Sequence, residues 1–196
     1  MTLERRNDLI DAVIAERPSG RGVIFEKQTL TGGNWDLVAH SYQQAFDVLW
    51  DHATAQGKGN SLIVGPLMMI WRQSVELTIK AAIQETTRAE PPGTHELVRL
   101  FDALLKARRD VGALEDDDTP YTAKVRAAVV EFQNFDQQAD RYRYPTGKHG
   151  EVYPGFAVHL DRLHQAHWLI TNWCDAASVE AEQYNLYGRG GEGGGR

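Results

Sequence analysis

The chain has 196 residues, of which 42% are hydrophobic and 24% charged. That is the size and make-up of one globular domain rather than a disordered or fibrous chain. A formal net charge of −6 argues against a protein that coats nucleic acid by charge alone, though it leaves room for a local basic site. The single cysteine, Cys174, has no partner within the chain for a disulfide, and the N-terminus carries no apolar signal core. The longest apolar run, Leu62 to Trp71, is broken by Gly65 and Pro66 and is too short to cross a bilayer. A soluble cytoplasmic protein is expected.

Six helical stretches are predicted in an all-α chain. The first runs from Leu3 to Glu16 and stops before Pro18-Ser19-Gly20. Residues 21–33 form a connector with a short β-like run, Val23-Ile24-Phe25, ending in Gly32-Gly33; residues 1–33 are set apart from the rest of the chain. Asn34 is the expected N-cap of a second helix reaching Ala55, with Trp35, Val38, Tyr42, Ala45 and Leu49 stepping by threes and fours along one face. Gly57 to Asn60 break it. A third helix spans Ser61 to Arg88, with Pro66 expected in its first turn.

Thr94 is the expected N-cap of a fourth helix, whose apolar stripe is Leu97, Leu100, Phe101, Leu104 and Leu105. The acidic run Glu115 to Asp118 is read as a linker. Thr119 and Pro120 then open a fifth helix with the seam Val125, Ala128, Phe132, Phe135, Ala139, Tyr142. The sixth runs from Phe156 to Tyr187 on the seam Phe156, Leu160, Leu163, His167, Ile170, Cys174, Ala177, Ala181, Tyr184. Sustained seams joined by short polar loops fit an antiparallel helical bundle over residues 34–187. Residues 188–196, rich in glycine with two arginines, read as a disordered tail.

Four groups of residues bear on chemistry. Arg72, Glu76 and Lys80 lie at i, i+4 and i+8, on one helical face: either a polar row beside a phosphate site or an exposed salt-bridged stripe, and spacing alone favours the stripe. His95, expected in the first turn of the fourth helix, is a candidate base that can equally pack near the cap. The stretch Asp140 to Gly150 gathers Arg141, Tyr142, Arg143, Tyr144, Lys148 and His149 around a break at Pro145 and Gly147. Arginine binds phosphate oxygens bidentately and histidine transfers protons near neutral pH, so this stretch has the parts for cleaving RNA through its 2′-hydroxyl. It also reads as a plain basic helix terminus.

The histidines of the last helix, His159, His164 and His167, invite a metal reading. The Asp161–His164 spacing has no second copy, however, and His167 sits on the apolar seam as a hydrogen-bonded core residue would. No metal and no cofactor is expected. Gly57-Lys58-Gly59-Asn60-Ser61 lacks the order of a phosphate-binding loop, and Cys174 lies mid-helix on a core face.

Three stretches in order resemble the HEPN superfamily of small helical domains. They are Pro66 to Ala82 with Arg72, Glu76-Leu77 and Lys80; Thr94-His95-Glu96-Leu97; and Phe135-Asp136 through Arg143-Tyr144-Pro145. The resemblance implies an up-and-down four-helix bundle, often a homodimer, of the kind found in bacterial toxin–antitoxin, abortive-infection and other antiviral defence systems. Many members are metal-independent endoribonucleases marked by an arginine followed a few residues later by a histidine; here five residues separate Arg143 and His149. On that reading His149 is general acid or base, Arg143 holds the scissile phosphate, and Arg141, Tyr144 and Lys148 contact the substrate. The alternative is a non-catalytic HEPN-like bundle, in which Arg72, Glu76, Lys80 and His95 serve to bind a nucleotide or a partner protein such as a nucleotidyltransferase.

Overall fold

A computed structural model describes residues 33–55, 61–113, 119–136, 139, 141–144, 146–147, 149–155 and 157–187. The predicted first helix and its connector, the 115–118 linker and the 188–196 tail lie outside these residues, as do Pro145, Lys148 and Phe156. Among the described residues are five helices: α1 Trp35–Thr54, α2 Ser61–Thr87, α3 Leu97–Asp110, α4 Pro120–Phe135 and α5 Leu160–Tyr187. No strand accompanies them there, only an isolated antiparallel bridge between Thr146 and Val152. The protein is all-α, and none of these helices is long and apolar enough to cross a membrane.

Two of the starts arise from local sequence. Asn34 Oδ1 accepts from the N–H groups of Asp36 (2.9 Å) and Leu37 (3.2 Å), and Thr119 Oγ1 accepts from Thr122 N–H (3.1 Å), with Pro120 in the first turn. The start of α3 differs from expectation. Thr94 does not cap it; its hydroxyl accepts from Glu96 N–H instead, and the helix begins at Leu97. The first free N–H, that of Leu97, is taken by Gln133 Oε1 from α4 at 2.6 Å. A cap supplied across an interface leaves no local signature, and His95 lies just ahead of the helix instead of in its first turn. At its other end α3 closes by a Schellman motif, with Ala113 N–H donating to Arg108 C=O and Gly112 N–H to Arg109 C=O. Gly112 is required there twice over: its φ is +77°, and a Cβ would stand 2.7 Å from the Tyr184 hydroxyl.

Helix α2 is the hub, packing against α1, α3 and α5, while α4 packs against α3 and α5. It is therefore covered on several sides, and nearly every side chain from Leu67 to Ile83 is buried or half-buried. One row, Trp71, Val75 and Ile79, fills the main core beside Phe46, Phe101 and Ile170. The α3 stripe is buried throughout, as the spacing predicts. In α1 the deepest row is Ala39, Phe46 and Ala53, with the predicted face residues on its flanks. Pro66 sits beyond the first turn of α2, and the helix runs through it. The fifth predicted helix is shorter than its seam suggested: α4 ends at Phe135, Asp136 leaves helical geometry, and Ala139 takes φ +59°. Likewise α5 starts at Leu160. Its first turn is held by two indoles, Trp50 Nε1 donating to Leu160 C=O (3.1 Å) and Trp71 Nε1 to Leu163 C=O (3.0 Å).

Candidate functional site

The row expected to be a solvent-exposed stripe is buried. Arg72 is 6% exposed, Glu76 1% and Lys80 6%. A charged row is tolerated inside only when its members are paired, and the pairing explains the site. Glu76 Oε1 accepts from Lys80 Nζ at 2.8 Å and from His95 Nδ1 at 2.9 Å. Lys80 also lies over the Trp35 ring, 5.7 Å from its centre. Arg72 donates from Nη2 to the His95 carbonyl at 2.5 Å, and its Nε faces Asp136 Oδ2 at 3.4 Å. Asp136 itself is buried; as the cap residue of α4 it also accepts from Arg141 N–H, so one carboxylate ties the helix end, the following turn and α2 together.

Beside this network a crevice of about 10 Å³ is lined by Met69, Arg72, Gln73, Glu76, Asp136, Ala139, Tyr142 and Arg143. It has room for roughly one water. Arg72 Nη1 is buried with no hydrogen-bond partner. Arg143 stands at the rim, exposed, with Nη2 donating to Gln73 Oε1 at 3.2 Å. Burial lowers the pKa of the Arg72 guanidinium, Asp136 and Glu76 raise it, and Arg143 lowers it again. The two arginines thus repel each other across the crevice. Burial also pushes the Tyr142 hydroxyl up to about 12, so it stays protonated at neutral pH. Arg72, Lys80 and Arg143 set three positive charges against the carboxylates of Glu76 and Asp136, leaving one in excess.

No family model matches the chain, and no curated protein or solved structure matches it.

The structure brings Arg72, Glu76, Lys80, His95 and Arg143 into one cluster, whereas His149 does not line the crevice. It is exposed in the tight turn closed by the Thr146–Val152 bridge, and its backbone N–H donates to Glu151 Oε2 at 3.0 Å. No hydrogen bond or ion pair among the described residues joins it to Arg143. Arg141 has a different position from the one a phosphate ligand needs: Nη1 donates to Phe135 C=O and Nη2 to Pro154 C=O, tying the loop back on itself. Tyr144 is exposed, and Lys148 lies outside the described residues. Asp136 and Gln73 are members not named as site residues from the sequence, although Phe135-Asp136 opens the third stretch of the resemblance.

On the opposite face of α2, His167 accepts or donates a hydrogen bond with Ser74 Oγ at 2.8 Å and packs on Phe46 and Trp71. Burial pulls its pKa down to about 3, with a smaller push from His164, so it is neutral at physiological pH. His164 lies 3.6 Å from Asp47 and tilts over Trp50. No group of three or more histidines, cysteines or carboxylates among the described residues is placed to hold a metal ion. Cys174 is buried, which raises its thiol pKa. A second buried arginine, Arg108, pairs with Glu180 and lies 5.0 Å from the Trp173 ring centre.

Proposed function

We propose that helices α2 to α5 form an antiparallel four-helix bundle of the HEPN kind, and that the protein is a metal-independent endoribonuclease whose substrate phosphate binds at the Arg72–Arg143 crevice. The observation that carries this is the buried Arg72 guanidinium, with one donor unpartnered, facing a second arginine at the same opening. A buried donor left unsatisfied costs about 1–3 kcal/mol, and two like charges across a crevice add repulsion. A phosphate docked at the mouth relieves both, accepting from arginine in the bidentate geometry that suits it and neutralising the pair. The crevice is too small to admit the phosphate whole, so Arg143 turns away from Gln73 to meet it. The packing of α2 on α3 and α5, and of α4 on the same two helices, fits a closed four-membered bundle, with α1 packed against α2 and α5 and sharing its core. A homodimer with paired sites and a defence-system role come from the same resemblance, and a cytoplasmic location from the single cysteine and the N-terminus without an apolar core.

The test is incubation of the purified chain with mixed-sequence RNA in EDTA. Wild type is expected to yield fragments ending in 2′,3′-cyclic phosphate, with Arg143→Ala slower by a hundredfold or more. Intact RNA with the wild type removes the ribonuclease reading. That His149 neither lines the crevice nor bonds to Arg143 favours the second reading, a bundle that binds RNA or a nucleotide without cutting; saturable binding with no product would establish that reading instead.

A further inference from the structure

Resting on the ribonuclease reading, we infer that His95, held by the buried Glu76 carboxylate, is the proton-transfer residue of the site. Its main chain and its ring are fixed separately. Arg72 donates to its carbonyl at 2.5 Å, and Glu76 Oε1 takes its ring Nδ1 at 2.9 Å. A carboxylate accepts, so Nδ1 is the donor in this contact, and in the neutral ring that tautomer leaves the Nε2 lone pair open. The side chain of Glu76 is 2% exposed and that of His95 64%. The carboxylate is thus sealed under the ring while the ring faces solvent, the order a base and its orienting group require. The same arginine that lines the crevice fixes the histidine, so phosphate binding and proton transfer are tied to one side chain of α2.

The step balances without a metal. Nε2 takes the proton of a ribose 2′-hydroxyl, O2′ forms a bond to phosphorus, and the bond from phosphorus to O5′ breaks. The departing 5′-oxygen takes a proton from water, and the imidazolium returns its own to solvent. Arg143, at the rim, offsets the charge gathering on the phosphoryl oxygens. Glu76 acts through His95 and is a positioning residue.

The experiment uses the full chain with a labelled mixed-sequence RNA in EDTA and, in parallel, the same strand fully 2′-O-methylated, which binds but offers no nucleophile. His95→Gln is expected to cut at least 100-fold more slowly, while binding to the methylated strand stays within twofold. Glu76→Gln is expected to lower kcat about tenfold with KM unchanged, its fold checked by thermal melting. His149→Ala is expected to cut like the wild type. An active His95→Gln, or an inactive His149→Ala beside it, overturns the inference and leaves the ribonuclease reading standing. Loss of methylated-strand binding in His95→Gln makes the residue a binding or structural one and also overturns it. A wild type that binds the methylated strand yet leaves RNA intact overturns the ribonuclease reading and the inference with it.

Discussion

Helix α2 carries two histidine partners on nearly opposite sides. Ser74 and Glu76 are two residues apart, about 200° around the helix, and each holds an imidazole brought from another part of the chain. On the first side His167 is sealed among Phe46 and Trp71 with a neutral hydroxyl for company. On the second, His95 keeps its ring in solvent over a buried carboxylate, with Arg72 beneath it. Burial of polar groups therefore does not by itself mark a site. The two buried arginines repeat the lesson: each faces an anion, but Arg108 lies beside an indole whereas Arg72 shares a crevice with another cation.

The largest effect should come from breaking the open side at its base. Glu76→Ala leaves Lys80 buried without its carboxylate and frees the His95 ring, and is expected to cost about 3–5 kcal/mol in urea melts. A loss under about 1 kcal/mol would mean that Lys80 escapes to water and that the cluster is not what closes this face of α2.

The sealed side is tested by pH. His167 is neutral in the fold, with its pKa held down to about 3, while the unfolded chain takes up a proton below about 6.5. The unfolded state binds more protons in that window, so stability present above about 6.5 is lost as pH falls toward 3. Between about pH 6.5 and 4.5 the loss should be about 2 kcal/mol for the wild type over and above that of His167→Gln, which keeps a partner for Ser74 without titrating. Equal slopes for the two proteins would show that His167 is wetter than its packing implies.

How far the sequence foretold these two sides depends on how local each cause was. The α3 stripe from Leu97 to Leu105 was legible because five apolar residues at helical spacing have one consistent outcome. The sealed place of His167 was legible for the same reason, since it stands on an apolar seam. The row Arg72, Glu76, Lys80 was misread as exposed because its spacing says only that the three share a face; that α1 and α3 cover α2 is a tertiary fact. Helix ends failed where the determinant was distant: Gln133 caps α3 from another helix, and Asp136 stops α4 while pairing with Arg72. The candidate residues were mostly named, but their grouping rests on residues 94–96, Asp136 and 141–143, which lie outside the helices. His149 was the natural partner of Arg143 by distance along the chain, yet its N–H donates to Glu151 and it does not line the crevice.

The smallest expected change in stability is also the sharpest test of the open side. Arg143 is exposed and makes one side-chain hydrogen bond, to Gln73, in a loop that Arg141 and Asp136 already hold. Removing it by Arg143→Ala should shift stability by no more than about 0.5 kcal/mol. The sign can even be favourable, since Arg72 loses a repelling neighbour. Affinity for single-stranded RNA should nonetheless fall about tenfold or more, the size of one charge-assisted contact. Its logarithmic salt dependence should flatten by about 0.7, as expected for one phosphate contact fewer. A structural arginine gives the reverse pattern, with lost stability and unchanged affinity. Arg108→Ala, which leaves Glu180 unpaired and strips the cover from Trp173, should behave in that reverse way, and the pair of variants then separates a cation kept for a ligand from one kept for the fold.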